Sequence, residues 1–444
     1  MMTFEKRWVG IIACGVGGLV NQGAQAEGFI EDSKANLLLR NFYVNADNRS
    51  GTAKPSRQEE WGQGFVLDFR SGLTPGPIGF GVDALGMLGV RLDSGKGRHY
   101  NANSDNFNGV IFPTDHGGRA VDDFSSLGLT AKAAIAKSEL RYGTLAPQLP
   151  ILISSDRLVL QTFTGAQVES RDIDRLTLTL GQLEHAKGRG SSNEQGLSMS
   201  GANNARTGVT SNKFYYGGGI YKPRADWTLQ YYYANLQDFY RQHFFGLKHS
   251  LPVGPGQLTA DFRYFRSLDD GKDKYDPAYD TIGYYGPGVN KGSVDNNLYS
   301  GQFNYAVGPH TFGAGYQRST GQSDTVWVNQ GDGSSTYFMT ESQIAKFQHS
   351  GERTYQLRYA YDFAAQNLPG LTFSAMYQNG DHIRSDDGDR KEWERDLTLN
   401  YVVQSGTLKG LSFSYRFGSL RSSYTGQRDM DENRFIVNYL LPVL

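Results

Sequence analysis

From about residue 33 to the C-terminus the chain alternates apolar and polar residues with a period of two, and its connections are by turns short and long. Leu176, Leu178 and Leu180 alternate with Arg175, Thr177 and Thr179, and Trp227, Leu229, Tyr231 and Tyr233 with Thr228, Gln230, Tyr232 and Ala234. Tyr355, Leu357, Tyr359 and Tyr361 alternate with Gln356, Arg358, Ala360 and Asp362; Leu397, Leu399 and Tyr401 with Thr398, Asn400 and Val402. That period puts one set of side chains on each face of a sheet. Short connections fall near 71–77, 137–138, 171–173, 222–226, 252–256, 308–309, 366–370 and 405–409. Long polar ones fall near 45–57, 93–121, 146–161, 187–212, 268–295, 320–351, 381–391 and 421–432, with 236–239 a short member of that set. Eight turns and nine loops predict eighteen strands of about 10–14 residues, near the length at which a tilted strand crosses a bilayer.

One alternating set is apolar and aromatic and faces lipid in this reading; the other carries Gly, Ser, Thr, Gln, Asp and Arg. A soluble β-sandwich would hide the apolar set instead. The 27 Tyr, 25 Phe and 5 Trp suffice for interfacial girdles. Hydrocarbon cannot satisfy an open sheet edge, so the strands must close. The expected fold is therefore all-β: a single eighteen-stranded antiparallel transmembrane barrel over residues 27–444, with short periplasmic turns and long outer loops.

Residues 1–26 read as a cleaved secretory signal. Lys6 and Arg7 precede the apolar run from Val9 to Val20, and Ala24-Gln25-Ala26 is an A-x-A site. Reading Ile11 to Cys14 as a lipoprotein site leaves too short an apolar stretch. Cys14 is the only cysteine, so the mature chain has no disulfide and no Cys-based metal site or nucleophile. The whole chain has 44 Lys+Arg and 45 Asp+Glu, a balance that argues against nucleic-acid binding.

Sixteen to eighteen strands enclose an aqueous channel unless something fills it. Strand one begins near Ser33, which leaves no plug domain, so a loop must narrow the pore. The third long connection, Ala146 to Arg157, has an apolar run and two prolines suited to folding inward. Arg40, Arg70, Arg91, Lys132, Arg141, Arg358 and Arg416 fall on the lumen set, as a charge facing mid-bilayer lipid costs about 2–4 kcal/mol. They read either as a row of cations attracting anionic solutes or, with inner Asp68, Asp83 and Asp362, as a neutralised field in a general porin.

Phe29-Ile30-Glu31-Asp32-Ser33, Leu37-Leu38-Leu39-Arg40-Asn41-Phe42-Tyr43, Gly79 to Ala84, Asp238-Phe239-Tyr240-Arg241-Gln242, Pro369 to Phe373, Tyr401 to Gly406 and Asp431 to Val437 resemble segments of the OprD/Occ family of outer-membrane carboxylate channels. The resemblance runs from about residue 28 to 444 and implies a substrate-selective porin for small carboxylates. It implies an arginine ladder with rungs at Arg40 and Arg416, a missing rung at Ser414, and a basic residue on the inward loop at Arg157. Asp156 is the choice for an acidic group opposite the ladder. Arg358 falls in a family-like Leu357-Arg358-Tyr359, and Arg70, Arg91, Lys132 and Arg141 rest on parity alone. The ending looks closer to the branch taking aromatic or other monocarboxylates than to the one taking basic amino acids.

Expected partners are small anionic solutes, outer-membrane lipid and lipopolysaccharide and the outer-membrane assembly machinery, with a monomeric or loosely trimeric state and no cofactor or metal. The eight histidines (99, 116, 185, 243, 249, 310, 349 and 382) sit in no nucleophile motif, and His243 and His249 lack the spacing of a metal site. The acidic loop Ser385 to Asp389 reads as solvated rather than as a calcium loop. Catalysis is not expected.

Overall fold

A computed structural model describes residues 28–51, 55–95, 97–99, 109–200, 208–271, 276–285, 290–329, 336–424 and 427–444. The signal segment read over residues 1–26 lies outside them. The described residues form eighteen barrel strands: β1 Lys34–Asn48, β2 Arg57–Arg70, β3 Gly79–Asp93, β4 Asp123–Ile135, β5 Ser138–Leu145, β6 Thr162–Ser170, β7 Leu176–Lys187, β8 Phe214–Tyr221 and β9 Trp227–Leu236. They continue as β10 Tyr240–Val253, β11 Gly256–Asp269, β12 Asp295–Val307, β13 His310–Gly321, β14 Arg353–Asp362, β15 Leu371–Ile383, β16 Arg390–Val402, β17 Ser412–Ser422 and β18 Met430–Pro442. Each pairs antiparallel with its sequence neighbour, and β1 pairs β18 from Asn36↔Pro442 to Asn48↔Met430, which closes the barrel. Lengths run from 8 residues (β5, β8) to 15 (β1, β3), a wider spread than the sequence suggests.

The alternation decides the faces as expected. In β14, Leu357 is 62% exposed and its neighbour Gln356 3%. Leu127, Leu129, Leu180, Tyr299, Phe303 and Tyr355 likewise point outward. The sequence reading misses the apolar part of the inner face. Tyr232, Phe244, Phe265 and Leu298 point inward and are buried with Phe214, Val326 and Phe338. Leu38, Phe42, Val66 and Met87 are buried with Ile111, Phe112 and Leu158. These wall positions are apolar because loops fold back into the barrel and cover them, so they meet protein and not lumen water.

Two such loops matter. The expected one, between β5 and β6, makes a small hairpin (Gln148–Leu149 with Leu152–Ile153) and buries Ile151, Leu152, Leu158 and Val159. Leu158 packs so closely on the wall that a Cβ at Gly64 would lie 2.6 Å from its carbonyl oxygen. Gly64→Ala should therefore displace this loop while leaving the β1–β2–β3 pairing in place. We expect altered single-channel conductance and more open-channel noise with unchanged barrel content by circular dichroism; an identical current trace would contradict the close seating of Leu158.

The second inward loop corrects the reading of 320–351 as an outer polar loop. Ser323, Asp324, Thr325, Val326, Met339 and Phe347 are buried in it. Val328–Asn329 pairs with Ser198–Met199 of the β7–β8 connection, so two loops interlock. Polar side chains of the lumen wall bond this segment, which is how a stretch of solvent-like composition can lie inside the barrel. Gln317 donates to Thr340 Oγ1 (2.6 Å) and to the Phe347 carbonyl (2.7 Å), and Gln378 to the Thr340 carbonyl (2.9 Å).

Candidate functional site: a row of arginines clamped by two inward loops

The lumen face of β11, β14, β17, β18 and β1 carries Arg263, Arg358, Arg416, Arg434 and Arg40. Arg416 and Arg434 lie directly opposite one another in the β17–β18 register, and Arg40 is opposite Asn438. The four-residue step from Arg434 to Asn438 corresponds to about 13 Å along the strand, so the row descends towards the short-turn rim.

Four of the five guanidinium groups donate to a carbonyl of an inward loop. Arg263 donates to the carbonyl of Tyr337 (2.7 Å), Arg358 to Met339 (2.8 Å), Arg434 to Gln343 (2.8 Å) and Arg40 to Arg157 (2.6 Å). The second loop is held in turn by acidic wall residues. Gln343 N–H donates to Asp396 Oδ2 (2.9 Å), and the N–H groups of Ile344 and Ala345 donate to the two Glu394 oxygens, both at 2.8 Å. Loops and arginines thus form one hydrogen-bonded assembly, in which each loop holds the charges at fixed positions.

Carboxylates offset part of the row. Arg434 pairs with Glu432 (2.5 Å), Arg263 with Asp261 (2.7 Å) and lies 3.9 Å over the Tyr337 ring, and Arg40 pairs with Asp156 (2.7 Å). Arg358 instead bonds neutral acceptors, the Gln356 amide oxygen at 2.7 Å besides Met339. Arg416 Nε lies 3.3 Å from Ser414 Oγ. Within the row, Arg358 is thus a guanidinium held by neutral acceptors.

The other sequence-derived residues fall elsewhere. Arg70 pairs with Asp68 (2.9 Å), Lys132 with Asp83 (2.6 Å) and Arg141 with Glu139, all towards the short-turn rim of β2 to β5. Each brings its own carboxylate, so this wall is close to neutral. Arg91 lies near the long-loop end of β3, bonded to the Ala120 carbonyl (2.6 Å) and to Asp122, and so serves the second long connection and not the row. Arg157 is on the inward loop and donates to the Val110 carbonyl. Asp156, also on the inward loop, pairs with Arg40 (2.7 Å). Asp362, at the short-turn end of β14, caps the 3₁₀ turn Phe363–Gln366 by accepting from Ala364 N–H (3.0 Å).

The sequence reading misses Arg263 and Arg434, although the parity that selected Arg416 applies to both. Phe262 and Phe435 point outward, so their neighbours point in. Arg434 stands beside the position where Ser414 looks like a lost rung. At the top of the second loop, His349 Nδ1 lies 2.8 Å from Asp324 Oδ2. Burial alone would depress the imidazole, but the Asp324 carboxylate outweighs it and pushes the pKa up to about 10. His349 is therefore a cation at neutral pH, and its pairing with Asp324 ties the two ends of the loop together. Among the described residues no group of three or more His, Cys, Asp or Glu side chains is placed to hold a metal ion.

Known proteins share this architecture. The profile of the outer membrane porin, OprD family, matches residues 27–443. Porin-like protein GalP of Pseudomonas putida is 36% identical over 423 residues, 95% of each chain. The crystal structure of Pseudomonas aeruginosa OccK8 (OprE) superimposes with a TM-score of 0.86 at 52% identity, covering 94% of this chain and 100% of that one. Structures of Pseudomonas aeruginosa OpdK with vanillate and of OccK2 (OpdF) in complex with glucuronate give TM-scores of 0.81 and 0.78 at 34% and 35% identity, each over 94% of this chain and 100% of the other. With the closed eighteen-strand barrel and its inward loops, these matches establish that the chain belongs to the OprD family of outer-membrane porins.

Proposed function

We propose that the protein lets small carboxylate-bearing solutes diffuse passively across the outer membrane, drawn past a constriction by the arginine row. The observation that carries this is the clamping of Arg263, Arg358, Arg434 and Arg40 by loop carbonyls at 2.6–2.8 Å. Fixed guanidinium groups can exchange hydrogen bonds with a passing carboxylate without reorganising, and their planar donor pairs match its two oxygens. Several moderate sites in series let an anion enter and still leave. Vanillate and glucuronate, the ligands of two relatives, differ in ring chemistry and share a carboxylate. That supports selection by the carboxylate, with the remainder of the solute read less strictly.

The solute enters among the outer loops, passes the arginine row at the constriction between the two inward loops, and leaves past the near-neutral wall of β2 to β5. Arg40, Arg157, Arg358 and Arg416 are the assigned selectors, joined by Arg263 and Arg434. Asp156 is assigned to orienting Arg40, and Arg70, Lys132 and Arg141 to the exit wall. No cofactor or energy source enters the mechanism. Residues 1–26 are assigned to export as a cleaved signal.

The test is the reversal potential of the purified protein in a planar bilayer under a salt gradient, then with benzoate replacing chloride. An anion-selective potential with substantial benzoate permeability is expected. A non-selective pore would remove the selectivity and leave a general porin; a cation preference would point to basic amino acids or peptides instead.

A further inference from the structure

The outer face of the barrel carries arginines as well as the lumen. Near the long-loop rim Arg266, Arg318, Arg353, Arg395 and Arg421 have the parity of lipid-facing Tyr264, Tyr316, Tyr355, Leu397 and Tyr415. Arg266 is paired with Asp295 (2.5 Å) and Arg421 with Asp431 (2.8 Å), and Arg395 lies over the Phe417 ring at 6.0 Å. Arg318 and Arg353 differ. They lie directly opposite one another in the β13–β14 register, and among the described residues neither side chain has a hydrogen-bond or ion-pair partner. Asp381 faces Arg353 across β15, but is hydrogen-bonded to His382 at 2.6 Å and makes no ion pair with Arg353.

Like charges directly opposite on one sheet face repel, so two outward arginines, neither ion-paired among the described residues and with the one facing carboxylate engaged by His382, form a surface that attracts an anion. Its depth says which anion. Tyr316 and Tyr355 pair one step nearer mid-barrel, with ring centroids 5.0 Å apart. Outer-membrane barrels place such aromatic girdles at the headgroup level. Arg318 and Arg353 lie two residues rimward of them, about 7 Å, among headgroups and not acyl chains. The anion held at that depth, on the outward face, is one carried by a lipid.

We propose that Arg318 and Arg353 form a docking site for a phosphate monoester on an outer-leaflet glycolipid, its acyl chains lying down the tyrosine-lined surface below. The two guanidinium groups clamp the phosphate oxygens, and the bound lipid neutralises the repulsion across the β13–β14 pair. The site also ties the outer leaflet to the strands on either side of the second inward loop, which leaves β13 and returns at β14.

The experiment is native mass spectrometry of the detergent-solubilised full-length protein, titrated with bisphosphoryl lipid A, dephosphorylated lipid A and inorganic phosphate. The intact protein should bind bisphosphoryl lipid A saturably, and the Arg318→Ala/Arg353→Ala variant should bind it about thirty-fold more weakly, the worth of two headgroup-level arginines. Arg353→Ala alone should lose about fivefold on the same basis, and it decides the matter if the double variant does not insert as a heat-modifiable barrel. Equal binding by wild type and variants overturns the site. Equal binding of the dephosphorylated lipid by the wild type overturns the role of phosphate. Displacement of the lipid by equimolar inorganic phosphate overturns the lipid as its source.

Discussion

Replacing Arg416 and Arg434 together with alanine is expected to weaken the anion preference of the channel and to lower benzoate flux about thirty-fold while changing neutral-solute flux little. At about 8 Å and an effective dielectric of about 40, one guanidinium attracts a carboxylate by about 1 kcal/mol. Two such charges give about 2 kcal/mol, which is the thirty-fold. The pair is chosen because Arg416 and Arg434 face each other across β17 and β18, so a solute near one is near both. The double variant also leaves Glu432 without its arginine, and that exposed negative field adds to the loss. The measurement is the pair of permeability ratios, benzoate to chloride and benzoate to a neutral sugar. Equal losses for charged and neutral solutes would show that the arginines shape the pore and do not select.

Substituting Glu394 with alanine is expected to release the second inward loop. Its two carboxylate oxygens hold Ile344 and Ala345 by their N–H groups at 2.8 Å. A hydrogen bond nets about 0.5–1.5 kcal/mol, and a buried donor left without its acceptor costs about 1–3 kcal/mol; both donors would lie in a largely buried place. The loop tip carries the Gln343 carbonyl that clamps Arg434, so the change reaches the selecting charges without touching them. Single-channel recording should show higher conductance, more flicker and weaker anion selectivity, with the barrel itself intact. A quiet channel of wild-type conductance would mean that Asp396, through Gln343, and the Gln317, Gln356 and Gln378 contacts hold the loop alone.

Under the proposed function, these two variants separate the charges from the loop that holds them. The arginines lie on strands whose register is set by the barrel, whereas their orientation is set by loop carbonyls. A change in charge alters what passes; a change in the loop alters where the charges stand. Preorganisation of this kind is what the proposed selection of carboxylates in a wide barrel requires.

The sequence by itself determined the barrel. Period-two alternation sorts lipid-facing from lumen-facing residues locally, strand by strand, so Leu357 and Gln356 could be assigned without any knowledge of their neighbours. The short and long connections set the strand number in the same local way. Parity also placed Arg40, Arg358 and Arg416 inside, and the same rule would have found Arg263 and Arg434. What only the tertiary structure decided is which inner charges act together. Arg70, Lys132 and Arg141 share the parity of Arg358 and meet carboxylates as Arg263 and Arg434 do; what sets Arg263, Arg358 and Arg434 apart is the carbonyl of the second inward loop that each reaches. Asp362 has the inner parity and spends it on capping a turn. The segment 320–351 reads as solvated by its composition, yet its described residues are bonded by glutamine and carboxylate side chains far away in sequence, and a hydrogen bond made inside a barrel leaves no mark in composition. The physical reason is range: sidedness is a property of adjacent residues, whereas charge balance and loop placement depend on partners that meet only after the chain has closed.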